Sequence, residues 1–177
     1  ASGRTVLNMF CYTGGFSVYA LRGNAKLVHS VDSSAKAIEL TDKNVALNFS
    51  DQRHQSFAED AFKYLQRYEK REPFYDLIVL DPPAFAKHRD AVSNALKGYR
   101  RLNRKAFEII RPGGIIFTFS CSQAITREQF RQAVFSAAAE SKRNVRILHQ
   151  LSQGIDHPIN IYHPEGEYLK GLVLWVE

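Results

Sequence analysis

The 177-residue chain has only two cysteines, Cys11 and Cys121, far apart and in no C-x-x-C pair, which removes a disulfide framework and a zinc ribbon from consideration. It has no apolar run near the roughly 20 residues that cross a bilayer, and no charged stretch leads into a short apolar one in the manner of a leader. A soluble cytoplasmic protein without a membrane partner is therefore expected. Low-complexity and Pro/Gly-rich tracts are also missing, so the chain should be ordered nearly throughout. No internal repeat is visible, no His and acidic residues fall at a trusted ligand spacing, and no metal is expected.

What remains is a globular composition, 45% apolar and 24% charged, in a length that suits one domain over residues 1–177. The net charge of +6 and pI near 9.4 favour a polyanionic partner without requiring one. The first residue is Ala1, and few residues precede a run that reads as a central strand. A longer protein with an upstream domain is the expectation.

Thr5 to Phe10 is a short apolar run, Gly14-Gly15 a turn, and Phe16 to Leu21 a helical pattern that stops at Gly23. Lys26 to Val31 reads as a second strand. Ser33 or Ser34 can cap the next helix, whose apolar positions include Ala37, Ile38, Val45 and Leu47. His54 to Phe57 is a weak third strand, and Glu59 to Tyr68 a helix with Phe62 and Leu65 inward. Phe74 to Leu80 is a fourth strand, apolar on both faces and stopped by Pro82-Pro83. A helix follows from about Val92 to Ile110, ended by Pro112-Gly113-Gly114. Ile115 to Phe119, a helix over Glu128 to Ser141, then Val145 to His149 and Leu172 to Val176 complete the pattern. Alternation up to the fifth strand implies an α/β, doubly wound, Rossmann-like sheet of seven strands. With no helix between the last two strands, the seventh should return antiparallel, the ending typical of class I methyltransferases.

Ligands of such sheets bind at the carboxyl ends of the strands, where the winding reverses beside the first strand. Asn8 to Ser17 (NMFCYTGGFS) follows the first strand, Asp32 the second, Glu59-Asp60 the third and Asp81 the fourth. Gly14 and Gly15 permit a sharp turn and close backbone approach to a ligand. Asp32 can accept from two ribose hydroxyls, and Asp60 from an adenine amino group. Each has a plainer reading, because strand-end Asp residues also cap helices and paired glycines also make turns. Their agreement in order and spacing carries the argument. The G-x-G-x-x-G fingerprint that seats a pyrophosphate is absent. S-adenosylmethionine, a sulfonium cation without phosphate, suits one glycine pair and several acidic strand ends better than a dinucleotide does.

Asp81-Pro82-Pro83-Ala84-Phe85 resembles the D/N-P-P-F/Y signature of methyltransferases that act on nucleobases. The prolines would fix a carboxylate and a carbonyl against a base edge, with Phe85 stacking on its face; the plainer reading is a strand stop with a core Phe. Two chemistries compete. A base amine can attack a methyl group directly, whereas carbon 5 of cytosine becomes nucleophilic only after a thiolate adds to carbon 6. Ser120-Cys121-Ser122 ends the fifth strand, where such a thiol is needed, although a lone strand cysteine can equally be inert core. Cys11, inside the glycine loop, reads as structural.

FCYTGGFS, DPPAF, SCS, DHP and EGEYLKG together resemble the catalytic domain of bacterial large-subunit ribosomal RNA cytosine-5 methyltransferases, over essentially the whole chain. The resemblance implies Cys121 as covalent nucleophile on carbon 6 and Asp81 as partner of the cytosine ring nitrogen. It implies cofactor contacts from Asn8, Phe10, Asp32, Asp60 and the glycine loop (Tyr12, Thr13, Gly14, Gly15), and Ser33 and Asp81 are expected to join them. Pro82, Pro83, Phe85 and Lys87 would meet the substrate, and ribosomal RNA would be the partner. Many relatives carry a second cysteine after the strand-four proline, where Ala84 stands here, so product release needs another route. Relatives also carry an N-terminal RNA-binding module of the PUA type and a linking domain, which are expected upstream of these 177 residues.

Lys87, His88 and Arg89, with Arg100, Arg101, Arg104 and Lys105 on the following helix, offer either an RNA phosphate track or a solvated face. His157 lines the site or shapes a turn. Two rivals stay open, an amino-methyltransferase of an RNA or DNA base and a noncatalytic RNA-binding or cofactor-sensing domain.

Overall fold

A computed structural model describes residues 1–50, 52–68, 71–86 and 88–177. Among the described residues five α-helices and seven strands follow one another, alternating as far as β6: β1 (Thr5–Met9), α1 (Gly15–Arg22), β2 (Leu27–Asp32), α2 (Ala35–Asn48), β3 (His54–Ala58), α3 (Ala61–Gln66), β4 (Tyr75–Leu80), α4 (Val92–Ile109), β5 (Ile110–Ser120), α5 (Arg127–Glu140), β6 (Val145–Leu151) and β7 (Lys170–Val176). The strands form one sheet in the order β3-β2-β1-β4-β5-β7-β6. The first five are parallel; β7 inserts between β5 and β6, antiparallel to both. This is the expected class I methyltransferase sheet, with its winding reversing between β1 and β4.

Two apolar cores sit on opposite faces. The larger packs α3, α4 and α5 against Leu7, Met9, Ile78, Leu80, Ile116 and Leu174. The smaller packs Ala20, Leu21 and Val45 of α1 and α2 against Val6 and Val28. Every residue of β1 is buried, because helices cover both of its faces. Fully burying side chains such as Leu102 and Phe107 of α4 stabilises the fold by roughly 1.5–3 kcal/mol each.

Local chemistry sets the helix starts. Ser34 accepts from the Ala37 N–H (3.3 Å) at the head of α2. Thr126 and Gln129 form a reciprocal capping box on α5. Leu47 departs from expectation: it is 83% exposed, because two residues beyond Val45 an α-helix has turned about 200° away from the buried stripe. β5 also begins earlier than Ile115. Ile110 already pairs with Tyr75, and the register then jumps to Leu77–Ile115, so Arg111 to Gly114 bulge out of the ladder. Pro112 and Gly113 are tolerated there because the bulge asks for no ladder bond. Among the described residues no helix is long and apolar enough to cross a membrane.

Candidate active site

The chain leaving β1 makes an uncommon turn. Phe10 (φ 59°), Tyr12 (φ 48°) and Gly14 (φ 82°) are all left-handed, and two of them are not glycine. Such conformations cost of order 1 kcal/mol or more each and persist only when their surroundings impose them. Here α2 does so. The Thr41 hydroxyl donates to the Tyr12 carbonyl (2.9 Å), Asn44 Nδ2 to the Thr13 carbonyl (2.8 Å), and the Gly14 N–H to the Cys11 carbonyl (2.8 Å). A Cβ on Gly14 would lie 2.7 Å from Thr41 Cγ2, whereas one on Gly15 would meet nothing within 4 Å. Gly14 is thus needed for packing, and Gly15 leaves open space.

That space is a cleft of about 340 Å³ lined by Phe10, Cys11, Tyr12, Thr13, Gly15, Phe16, Tyr19 and Asp81. At the end of β2, Asp32 accepts from the Tyr12 N–H (3.0 Å) on one oxygen and the Ser34 N–H (2.9 Å) on the other. Each oxygen keeps a lone pair for a ligand hydroxyl. Aromatic walls, an open glycine backbone and a fixed carboxylate fit a nucleoside that carries a cation, and nothing in the loop is shaped for a pyrophosphate. Ser33 is exposed beside Asp32.

Two expected cofactor contacts have other work. Asn8 is 1% exposed and faces α1, donating to Ser17 Oγ (2.9 Å), which in turn bonds Ser30 Oγ (2.6 Å). It braces β1 from beneath and does not line the cleft. Asp60 caps α3, one oxygen accepting from the Phe62 and Lys63 N–H groups (3.0 Å each), which leaves its other oxygen for a ligand. Cys11 is buried, and burial pushes its thiol up to about 11, in keeping with a structural role.

At the end of β4, burial raises the carboxyl of Asp81 above the ordinary range. Pro82 is buried and Pro83 exposed. Phe85 does not stand free to stack on a base: its ring packs on Tyr99 (centroids 4.7 Å apart) and lies so close to Gly98 that a Cβ there would come within 3.0 Å. The substrate contact expected of Lys87 lies outside the described residues, as does the side chain of Arg89.

Cys121 follows β5, with its thiol donating to the Pro82 carbonyl at 3.8 Å, so the two expected catalytic residues come together across adjacent strands. The flanking serines are buried and fasten the turn. Ser120 Oγ donates to Tyr99 Oη (3.0 Å), Tyr99 Oη shares a hydrogen bond with Ser122 Oγ (3.0 Å), and the Ala86 N–H donates to Ser122 Oγ (3.3 Å). Behind them Lys170 of β7, 6% exposed, donates from Nζ to the Ser122 carbonyl (2.6 Å). Burial, then the charge of Asp81, raises the Cys121 thiol above its ordinary value, while Lys170 acts in the opposite sense.

The basic cluster on α4 is committed to partners. Arg100 and Arg104 pair with Glu140, Arg104 and Lys105 with Glu108, and Arg101 lies over the Phe62 ring. Tyr99, their neighbour on α4, faces the turn that carries Cys121, whereas Arg100 and Arg104 face Glu140 of α5. None of the four basic residues lines the cleft beside β1. His157 donates its N–H to the Gly154 carbonyl (3.0 Å) in an exposed turn and pairs with Asp156. Sequence reasoning missed Tyr99 and Lys170. Lys170 had a visible signal, because strand alternation places it on the same face as Leu172 and Leu174.

The profile of the S-adenosylmethionine-dependent methyltransferase family matches residues 1–158. The chain is 47% identical over 175 residues to the ribosomal RNA large subunit methyltransferase I of Tolumonas auensis, covering 98% of this chain and 44% of that protein. It is 45% identical over 173 residues to the protein of the same description from Aeromonas hydrophila, covering 97% and 44%. A candidate methyltransferase solved in complex with SAH superposes with a TM-score of 0.86 at 29% identity, over 99% of this chain and 46% of that one. The chain thus spans less than half the length of the curated relatives it matches.

Proposed function

The chain belongs to the S-adenosylmethionine-dependent methyltransferase family, and from that premise we propose that it methylates carbon 5 of a cytosine in large-subunit ribosomal RNA through a covalent adduct on Cys121. The bound cofactor supplies an electrophilic methyl group on its sulfonium. Asp32 orients the ribose, Gly14 and Gly15 let the backbone close on the ligand, and the aromatic walls of the cleft keep water from the transfer path. The thiolate of Cys121 adds to carbon 6, which puts electron density on carbon 5 for attack on the methyl group. Asp81, whose carboxyl holds its proton more tightly than usual, donates that proton to the ring nitrogen as the thiolate adds. Loss of the carbon 5 proton then breaks the carbon 6–sulfur bond and expels the thiolate, and the ring nitrogen returns its proton to Asp81 as the neutral ring is restored. Ala84 stands where many relatives keep a second cysteine, so the carbon 5 proton leaves by another route. Ribosomal RNA as substrate and partner puts the work in the cytoplasm.

The observation that carries this reading is Cys121 Sγ at 3.8 Å from the Pro82 carbonyl, beside Asp81 at the rim of the cofactor cleft. The test is incubation of the full-length protein with cofactor and unmodified ribosomal RNA containing 5-fluorocytidine, followed by mass spectrometry. We expect a covalent adduct on Cys121, and Cys121→Ala should abolish both adduct and methyl transfer.

A second reading, methylation of an exocyclic base amine, draws on the Cys121 thiol, which burial and the charge of Asp81 hold above its ordinary value, as in an incidental cysteine. Methyl transfer that survives Cys121→Ala would establish it. Cofactor binding without methyl transfer would instead point to a sensing or binding domain.

A further inference from the structure

Among the described residues no histidine acts on Cys121, yet the thiolate chemistry needs something to favour its charged form. Lys170 begins β7 directly opposite Ser120 in the β5–β7 register. Its side chain is buried, and Nζ is fixed at 2.6 Å by the Ser122 carbonyl, one residue beyond Cys121. The backbone brings it close by design of the sheet: Gly171, next in the chain, lies so tightly on Phe119 that a Cβ would stand 2.7 Å from the ring. A buried lysine in a sheet is costly unless its charge is used or compensated. One neutral carbonyl satisfies one of its three donors and compensates no charge.

We propose that Lys170 is a positioning residue for Cys121: its ammonium fixes the turn that carries the thiol and stabilises the thiolate, the released proton passing to solvent. This rests on the nucleophile reading of Cys121. The charged groups around the pair are few. Asp81 faces Cys121 and opposes its ionisation, whereas Arg127 and Glu167 face Lys170 and pair with each other, so their effects largely cancel. Burial lowers the lysine's own affinity for its proton and the Cys121 thiolate raises it. Mutual support of this kind is reciprocal, because a thiolate that gains from the ammonium must stabilise it equally. When Asp81 carries a proton, its opposition disappears, and among the described residues Lys170 is the charge that acts on Cys121.

The test is the pH profile of iodoacetamide alkylation at Cys121 in the full chain, read by peptide mass spectrometry without RNA or cofactor, with buried Cys11 as internal reference. Lys170→Met should move the inflection to higher pH and slow alkylation at pH 8 about tenfold. Lys170→Arg should stay close to the unaltered chain. An unchanged profile in Lys170→Met overturns the proposal. Should that variant fail to fold, the reciprocal measurement decides: the Lys170 ammonium, followed by NMR, should titrate lower in Cys121→Ser than in the unaltered chain, and an identical titration overturns the proposal. Because neither readout involves methyl transfer, failure here leaves the nucleophile reading standing, and failure of the fluorocytidine adduct leaves the charge coupling standing.

Discussion

Gly14 shows how a single missing methylene group sets the cofactor cleft. Its φ of 82° and its contact with Thr41 both exclude a side chain, and the two penalties fall on the same backbone that supports Tyr12 and Thr13. Gly14→Ala should therefore destabilise the protein by about 1–2 kcal/mol through the left-handed backbone alone, with the clash added. It should also weaken cofactor binding, which isothermal titration would show as a Kd raised tenfold or more. A substitution at Gly15, where space is open, is the contrasting case: the fold should tolerate Gly15→Ala, while the cofactor meets the new methyl group.

At the scale of elements, α4 is more than a cover for β4 and β5. Tyr99 reaches from its middle to the hydroxyls of both Ser120 and Ser122, so the turn bearing Cys121 is hung from a helix on the larger core. Tyr99→Phe would keep the packing on Phe85 and Phe130 and remove only those bonds. The expected stability loss is about 1–2 kcal/mol, since two buried hydroxyls each lose a partner. Methyl transfer should fall by more than stability does, about tenfold or beyond, because the nucleophile is no longer held to sub-ångström position. Equal rates in Tyr99→Phe and the unaltered protein would dismiss α4 as a support of the site.

For the whole molecule, the informative residue lies far from the cleft. His29 of β2 is buried in a cluster where its Nδ1 meets Tyr75 Oη (2.8 Å) and Tyr64 Oη (3.0 Å), linking β2, β4 and α3. Burial first, and the charge of His54 second, lower its pKa from 6.5 to about 4. Between those values the unfolded chain binds the proton and the folded chain refuses it, so stability is full above about pH 6.5 and is lost as pH falls toward 4. The loss is on the order of 3 kcal/mol at the lower end. Urea midpoints measured between pH 7 and pH 4.5 should fall accordingly, and His29→Gln should flatten that part of the curve.

The sequence by itself determined the order of strands and helices, the parallel sheet with its antiparallel end, and the acidic and glycine positions at the strand ends. Those follow from apolar periodicity and turn chemistry, which act over a few residues. It also placed Asp81 and Cys121 in one site, because consecutive parallel strands such as β4 and β5 lie side by side. Only the tertiary structure decided what each side chain spends its contacts on. Asn8 and Phe85 looked available from their motifs, yet packing against α1 and α4 occupies them. The arginines of α4 could be read as a phosphate track or a solvated face until Glu140, 36 residues beyond Arg104, closed on Arg100 and Arg104. Lys170 came beside the turn that carries Cys121 only because β7 inserts beside β5, pairing Ser120 with Lys170 across 50 residues, which no local pattern encodes.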